Sequence, residues 1–403
     1  MSTSTDTDDL PVFPAARAAG CPFDPAPEYT NWRQAEGLQR ALSHGRPMWV
    51  VSRYEDIRAV MGDPRISADI SRPEFPGSDM IADDEPPMFS RRDDPEHMRV
   101  RRMLTKDFTV KRVEQMRPHI QQLADDFLDQ MIAKGPPADL VRDYALPIPS
   151  LVISLILGVP YSGHEFFQEH SAVLHEAHAS DEEKQAARGA LFGYLLELVG
   201  RKEREPGDDM ISRLLREQVA TGELSRELVA MNGLLLLIAG HETTANMIAL
   251  STLALLQNPG QLARIRDTDD PAVVANAVEE LLRYLTVVQD HLVRVATEDL
   301  TLGGQLVRAG EALTMNLPSA NRDMAFLDEP DTLDVGRDVR GHVAFGYGVH
   351  QCLGQSLARV ELQVALPTLL RRLPELRLTV PLEKVRFRHD MAVHGLHELP
   401  VAW

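Results

Sequence analysis

The most informative stretch of the chain is residues 345–354, with the sequence Phe-Gly-Tyr-Gly-Val-His-Gln-Cys-Leu-Gly. Cys352 lies between Gly348 and Gly354, and a helical pattern begins near Leu353. Glycines allow the backbone to approach a flat ligand closely and to adopt positive φ. Backbone N–H groups at the start of a helix favour a nearby anion, so they favour the thiolate form of the cysteine. We therefore expect an anionic sulfur at this position.

Three roles are open for this sulfur. The other cysteine, Cys21, lies near the N-terminus, and the chain has no CxxC pair, so a structural zinc or iron–sulfur site lacks its ligands. A disulfide between the two cysteines is not expected in a cytoplasmic protein. A single thiolate on a glycine-rich loop suits one bond to a metal that other ligands already hold, as in haem iron. An inert buried cysteine and a cysteine nucleophile are the alternatives.

A second unusual segment is the long helical pattern over residues 225–257. Ser225 is a suitable N-cap, Asn258-Pro259-Gly260 ends the pattern, and the helix would be about 50 Å long. Its apolar sequence is interrupted by Ala-Gly-His-Glu-Thr-Thr-Ala at 239–245. Buried polar side chains cost free energy unless they are paired, so this interruption indicates either a functional site or a kink with threonine back-bonding. A zinc HExxH motif is excluded because residue 245 is alanine.

The remaining patterns predict a mainly α fold with small β-sheets. Residues 31–47 are predicted to be helical and Met48–Ser52 to be a strand. Helical patterns then dominate from His97, with 97–134 as one long helix, and another helix runs from Cys352 to about Arg372. Strand-like segments occur at 293–302 and 312–316.

Composition limits the classes of function. The net charge of −18 argues against general nucleic-acid binding, which needs a clustered positive field. No uninterrupted apolar run approaches the roughly 20 residues of a membrane-spanning helix, and no secretory signal is present. We expect a cytoplasmic, monomeric protein with a flexible leader over residues 1–20 and a single domain over 21–403. GxSxG, Walker A and Rossmann glycine patterns are absent from the sequence, which weakens hydrolase, NTPase and nicotinamide-binding functions.

Four ordered motifs together resemble those of the cytochrome P450 family of haem-thiolate monooxygenases. Phe345, Gly348, His350, Cys352 and Gly354 match the haem-binding signature, and Glu280-Leu-Leu-Arg283 matches the ExxR motif. Ala239–Thr244 matches the oxygen-activation motif, and His97–Arg101 matches the start of the propionate-binding helix. The resemblance extends from Cys21 to Trp403 and is greatest to actinobacterial members of the family.

This resemblance implies the cytochrome P450 fold, a helix-rich triangular prism with haem b between the long central helix and the helix that follows the cysteine loop. Cys352 would be the axial ligand of the iron, with Phe345 and Gly346 in the loop around the sulfur. Glu280, Arg283 and Arg337 would form a buried ion network that supports this loop. The haem propionates would be bound by cationic side chains of His97, Arg101, Arg294 and His350.

The resemblance also assigns roles along the central helix. Ala239 and Gly240 would leave room for the porphyrin and dioxygen, Thr243 would offer a hydroxyl donor, and Glu242 would supply protons from solvent. The implied reaction is hydroxylation or epoxidation of a mid-sized apolar molecule such as a polyketide, terpenoid or sterol-like compound. The predicted pocket residues are Leu236, Ala239, Val287, Val288, Leu292 and His394.

Electrons must come from another protein, because the sequence carries no flavin or iron–sulfur motif. The resemblance implies a ferredoxin and a ferredoxin reductase. A positively charged cluster is a candidate docking patch for an acidic ferredoxin, although it is equally typical of a solvated helix face. The cluster consists of Arg99, Arg102, Lys106, Lys111 and Arg112.

Two other functions are possible for a haem-thiolate protein. One is peroxide-driven oxidation or oxidative coupling, against which Glu242 and Thr243 argue, because a dedicated peroxide user needs no proton relay. The other is a haem-based sensor without turnover, for which the sequence shows no signalling or helix-turn-helix segment.

Overall fold

The structure is a computed structural model, and helices dominate it. It describes residues 10–17, 22–78, 88–160, 163–175, 179–290, 292–388 and 391–403. The predicted leader therefore lies largely outside the described residues.

The helices are α1 (Glu28–Gln34), α2 (Tyr54–Gly62), α3 (Glu96–Thr105), α4 (Val110–Lys134), α5 (Pro147–Leu157), α6 (His164–His175), α7 (Asp181–Arg204), α8 (Met210–Leu214), α9 (Arg226–Gln257), α10 (Pro259–Arg266), α11 (Pro271–Leu285), α12 (Leu317–Ala320) and α13 (Gln355–Arg372). The strands are β1 (Gln39–Ser43), β2 (Arg46–Val51), β3 (Ile66–Ser67), β4 (Ala138–Asp139), β5 (Val293–Ala296), β6 (Leu300–Leu302), β7 (Gln305–Val307), β8 (Ala312–Met315), β9 (Arg377–Leu378) and β10 (Pro400–Ala402).

The prediction of a helix over residues 31–47 holds only as far as Gln34, where α1 ends, and was wrong beyond it. β1 and β2 form an antiparallel hairpin in which Ser43 is opposite Arg46. The two residues of the turn, His44 and Gly45, both have positive φ (51° and 71°), as two-residue hairpin turns of the primed types require. The hairpin satisfies its backbone groups by pairing across this turn, which local helical periodicity does not reveal.

The predicted helix over 97–134 is two helices. α3 ends at Thr105, and Thr109 starts α4 by accepting a hydrogen bond from the backbone N–H of Arg112 through its side chain. A threonine at this position is a favourable N-cap, and it was the signal for the break.

The chain divides into two compact units. The first comprises Met1–Glu85, Ser90–Met98 and Glu280–Cys352, and the second comprises Pro86–Phe89, Arg99–Glu279 and Leu353–Trp403. The single domain predicted for residues 21–403 stays a prediction.

The first unit contains a five-stranded sheet in the order β1-β2-β8-β5-β3 and a two-stranded β6–β7 hairpin. β2 and β8 are parallel, and the other neighbours are antiparallel. One face of this sheet packs with α2 in a core that includes Tyr54, Ile57, Leu313 and Met315.

The second unit is built around α9. This helix packs against α5, α7 and α13, and α13 also packs against α4. Its predicted bounds are confirmed, since the Ser225 side chain accepts from the backbone N–H of Leu228 and the helix ends at Gln257. A three-stranded sheet in the order β4-β10-β9 completes the unit.

By length and composition, α9 would be able to cross a membrane. However, 72% of its most apolar 18-residue window is buried inside the structure. An all-round apolar helix with this burial is typical of a core helix.

Candidate active site

The cysteine loop of the first unit has a tightly specified backbone. The N–H of Cys352 donates to the carbonyl of Phe345 at 2.9 Å, which closes the loop. Gly346 and Gly348 have φ of 71° and 72°, the region that favours glycine. A Cβ on Gly348 would also collide with the backbone carbonyl of Met61. Both glycines are therefore required by backbone geometry, and the sulfur is held at one position.

A fully buried ion network lies in the same unit. Arg283 donates from Nε and Nη2 to the two carboxylate oxygens of Glu280 at 2.7 and 2.9 Å, and both side chains are 0% exposed. Arg337 approaches the same carboxylate at 3.7 Å. These are the three residues that the family resemblance placed in one network, and the burial of Glu280 and Arg283 separates them from an ordinary exposed helix pair.

Arg283 also fixes the chain that leads to the cysteine loop. Its Nη1 donates to the carbonyls of Asn321 and Pro330 at 2.9 and 2.7 Å, and Nη2 reaches the carbonyl of Thr332 at 3.3 Å. The side-chain carbonyl of Asn321 in turn accepts from the N–H of Val343 at 2.8 Å. The network therefore reaches to within two residues of Phe345.

Cationic side chains are concentrated at another place in the first unit. His97 is completely buried, and its ring centroid lies 4.0 Å from that of His350. Arg294 on β5 is also buried, and its pKa is lowered to about 10, chiefly by burial and further by repulsion from Arg91. His97 Nδ1 lies 3.2 Å from a carboxylate oxygen of Asp94. Buried basic side chains are stabilised by anionic partners, and this set of donors fits the carboxylates of a haem. Arg101, one turn after His97 on α3, is half-buried.

The middle of α9, in the second unit, carries an accessible stripe. Ala239 is exposed and Thr243 half-buried, whereas most of the helix from Val229 to Leu255 is buried. Ala239 and Thr243 are one turn apart and so share a face of the helix. The Thr243 hydroxyl donates to the carbonyl of Ala239 at 2.8 Å, the back-bonding that the sequence left open. This largely apolar surface fits a flat ligand.

Gly240 also lies close to a neighbouring helix. A Cβ at this position would lie 3.0 Å from Cγ1 of Ile153 on α5. The glycine therefore allows close packing of α9 on α5, and the role of Ala239 and Gly240 in leaving room for the porphyrin and dioxygen stays a prediction.

Glu242 is buried on α9, and its carboxylate accepts hydrogen bonds from two side chains. Its Oε2 accepts from Arg388 Nη1 at 2.7 Å and from Asn246 Nδ2 at 3.3 Å. Neither partner was identified from the sequence, because the first contact joins residues 146 positions apart.

The six predicted pocket residues are divided between the units. In the first unit, Val287 is buried, Val288 half-buried, and Leu292 packs against the core beside α2. In the second unit, Leu236 is buried, and the buried His394 stacks on Phe387 with ring centroids 5.9 Å apart.

The predicted docking patch is exposed, but acidic neighbours reduce its charge. Lys106 pairs with Glu217 at 2.7 Å, Arg99 with Glu223 at 3.7 Å, and Arg112 with Asp208 at 3.9 Å. Arg102 and Lys111 are exposed on α3 and α4.

Comparison with known proteins identifies the family. A family model described as Cytochrome P450 matches residues 38–202 and 167–378. The chain belongs to the cytochrome P450 family. Cytochrome P450-SU2 of Streptomyces griseolus is 56% identical over 401 residues, which cover 98% of each chain. Pentalenic acid synthase of Streptomyces avermitilis is 46% identical over 399 residues, 97% of each chain.

The fold agrees with this assignment. The crystal structure of the mycinamicin VIII C21 methyl hydroxylase MycCI from Micromonospora griseorubida, bound to mycinamicin VIII, superimposes with a TM-score of 0.90. It is 40% identical and covers 98% of this chain and 100% of that one. The predicted helical fold with small sheets is therefore confirmed as the cytochrome P450 fold, and the protein is a cytochrome P450 monooxygenase of actinobacterial type with a haem-iron cofactor.

One buried acid of this cytochrome P450 was missed by the sequence analysis. Glu361 on α13 is 1% exposed, and its Oε1 makes no hydrogen bond within the described part of the chain. Burial raises its pKa to about 8, against a smaller opposite effect of a hydrogen bond from Thr244 on α9. The signal was present, since Glu361 is the only acidic residue in the largely apolar stretch 357–370.

We expect this group to make the stability of the P450 depend on pH. Between pH 5 and 8 the unfolded carboxyl is mostly ionised, whereas the folded one is protonated at the lower end of this range and about half protonated at its upper end. Unfolding therefore releases up to one proton, and stability falls as pH rises. The slope is at most about 1.4 kcal/mol per pH unit. Glu361→Gln should remove this pH dependence. The free energy of unfolding of the variant, measured by urea denaturation and taken relative to that of the parent, should therefore rise by up to about 4 kcal/mol from pH 5 to 8.

The matched control is Glu375→Gln, the same change at an exposed glutamate. It should follow the parent at both pH values. A constant difference between Glu361→Gln and the parent across this range would contradict the buried, protonated state.

Proposed function

We propose that this cytochrome P450 hydroxylates or epoxidises a mid-sized, largely apolar small molecule, with electrons from a ferredoxin and its reductase. The observation that carries the proposal is the stripe on α9, where Ala239 and Thr243 are accessible in the middle of a buried helix. Its surface is apolar apart from one hydroxyl, which suits an apolar substrate and one proton-donating group.

The cofactor in this proposal is haem b, with the Cys352 thiolate as its axial ligand. When bound, the haem supplies the activation of dioxygen. The closed loop from Phe345 to Cys352 and the positive φ of Gly346 and Gly348 support one fixed position for the sulfur. Gly354 belongs to the same haem-binding stretch, just before α13.

Cationic side chains would hold the propionates. This role is supported by the burial of His97 and Arg294 and by the contact between the rings of His97 and His350. For Arg101 the support is its position one turn after His97 on α3. A pair of carboxylates at this place would relieve the repulsion between Arg294 and Arg91.

Glu242 and Thr243 would carry protons. The Thr243 hydroxyl is the polar group on the accessible stripe, and Glu242, the preceding residue, is a carboxylate that can take up and release a proton. Both groups belong to the middle of α9, where backbone geometry is rigid.

The substrate class is proposed from the apolar stripe and from the relatives. One relative is named a pentalenic acid synthase, and another was crystallised with mycinamicin VIII. We therefore propose a polyketide or terpenoid substrate, contacted by apolar residues among Leu236, Ala239, Val287, Val288 and Leu292 and by His394.

An acidic ferredoxin would dock on the patch that includes Arg102 and Lys111. These two residues are exposed, whereas Lys106, Arg99 and Arg112 face acidic neighbours. We further propose that the protein acts as a cytoplasmic monomer in a single domain.

The test is a panel of polyketide macrolactones and terpenoids, monitored by the shift of the haem Soret band. Compounds that shift the band are then incubated with either NADPH, ferredoxin and reductase, or hydrogen peroxide alone. We expect an oxygenated product with the ferredoxin system. Product with peroxide alone would favour the peroxide-driven alternative, and binding without product in both systems would favour a sensor.

A further inference from the structure

We propose that Arg388 is a positioning residue that restrains Glu242, so that the C-terminal hairpin, which pairs residues 386–388 with 395–397, controls proton delivery. The inference rests on the proposed role of Glu242 in supplying protons. It adds a residue and a control element that neither the motifs nor the relatives identify.

The contact between the two side chains is short and shielded from solvent. Arg388 Nη1 lies 2.7 Å from Glu242 Oε2, with the side chains 16% and 7% exposed. A shielded ion pair holds the carboxylate in one orientation more strongly than an exposed pair does. Glu242 must leave this contact before the same oxygen can accept a proton from water.

Asn246 ties the same carboxylate to the hairpin a second time. Its Nδ2 donates to the backbone carbonyl of Glu242 at 2.8 Å and to Oε2 at 3.3 Å, while its Oδ1 accepts from the N–H of Leu396 at 3.2 Å. A Cβ on Gly395 would collide with this Oδ1. Helix and hairpin therefore approach closely at the turn of α9 that carries Glu242.

The hairpin links Arg388 to a predicted substrate contact. The N–H of Arg388 donates to the carbonyl of Gly395 at 2.8 Å, and that of His397 donates to Arg386 at 2.9 Å. Between these bonds, the ring of Phe387 stacks on His394. A substrate that displaces His394 would therefore displace the backbone that carries Arg388.

A titratable neighbour of Glu242 lies on its own helix. His241 Nε2 lies 3.9 Å from Glu242 Oε1, whereas Arg388 Nη1 contacts Oε2. Its ring is also held by Ser171 on α6 at 3.1 Å and by the carbonyl of Leu237 at 2.8 Å. Because His241 is fixed by α6 and α9, the hairpin is the element whose movement would release the carboxylate.

The proton balance of the step is simple. When Arg388 withdraws, the Glu242 carboxylate takes a proton from bulk solvent and passes it by way of Thr243 to dioxygen that has been reduced. The carboxylate is thereby regenerated and can bind Arg388 again. Each dioxygen that leaves as hydrogen peroxide has taken up two electrons and two protons. The electrons come from NADPH through the ferredoxin, and no further oxidant or reductant is needed.

The experiment is a double-mutant cycle on the haem-loaded enzyme with NADPH, ferredoxin and reductase. Dioxygen is the only acceptor, so no organic substrate is required, and the rates of NADPH oxidation and hydrogen peroxide release are measured. We expect Arg388→Gln to raise NADPH oxidation at least threefold, because the carboxylate is released. In the Glu242→Gln background, Arg388→Gln should alter the rate of NADPH oxidation less than 1.5-fold. This is because a residue that acts only through Glu242 has no effect once that carboxylate is removed.

Two further variants separate positioning from a general structural effect. Arg388→Lys keeps the positive charge. The increase in its rate of NADPH oxidation over the parent should be at most half of the increase seen in Arg388→Gln. Arg386→Gln is the matched control on the same hairpin, since its ion pair with Glu398 is exposed and 3.9 Å long, and it should behave as the parent. The solvent deuterium isotope effect on NADPH oxidation should change in Arg388→Gln and stay unchanged in Arg386→Gln.

The possible failures are distinguishable. Equal effects of Arg388→Gln in both backgrounds, or no effect in the parent, would overturn the restraint by Arg388 and leave the monooxygenase function intact. If Glu242→Gln alone leaves NADPH oxidation and its isotope effect unchanged, the proton relay itself is wrong, and the inference falls with it.

Discussion

Arg283→Ala is expected to yield a cytochrome P450 that folds poorly and does not retain haem. The change removes one partner of a fully buried pair and leaves the Glu280 carboxylate without its bidentate donor. Breaking such a pair costs about 3–5 kcal/mol, a large part of the roughly 5–15 kcal/mol that stabilises a typical folded protein. The carbonyls of Asn321 and Pro330 lose their donor as well. The measurement is the haem-to-protein absorbance ratio after purification, together with the urea midpoint.

A neighbouring pair supplies the matched control. Arg359 makes a bidentate contact with Glu279, the residue before Glu280, but these side chains are 27% and 21% exposed. Arg359→Ala should therefore cost only about 1 kcal/mol or less. If Arg283→Ala and Arg359→Ala have the same stability and haem content, the buried network does not support the cysteine loop.

The predictions that succeeded rested on signals between residues close together in the sequence. The glycine spacing around Cys352 and the Glu280–Arg283 spacing are local constraints, so the loop geometry and the buried pair followed from the motifs. The bounds of α9 were also predictable, because its N-cap and its terminating Asn258-Pro259 are local signals.

Contacts between distant segments accounted for most of what was missed. Arg388 meets Glu242 across 146 residues, and no local pattern in either segment indicates the other. The close approach of Gly240 to Ile153 on α5 was also missed, because sequence spacing does not bring these two residues near each other. The β1–β2 hairpin is different, since its His44-Gly45 turn was a local signal that the helical periodicity of the preceding residues masked.

The second large effect is expected from replacing Cys352. The sequence offers no other cysteine in the haem-binding stretch, and the loop that presents this sulfur is closed by the bond from its own N–H to Phe345. Cys352→Ala should therefore abolish thiolate ligation and reduce product formation below detection. Cys352→His keeps a side chain that can bind iron but not the thiolate, so any haem it retains should have different absorption bands. Cys21→Ala, the same change at the other cysteine, should leave the spectrum unchanged.

The most direct test of the haem-thiolate assignment is the absorption spectrum of the reduced, carbon monoxide-bound protein, recorded for the parent and for Cys352→Ala at equal protein concentration. We expect the parent to show the thiolate-specific Soret band after which the family is named, and the variant to lose it completely. A variant that keeps the same band and the same oxidising activity as the parent would contradict it.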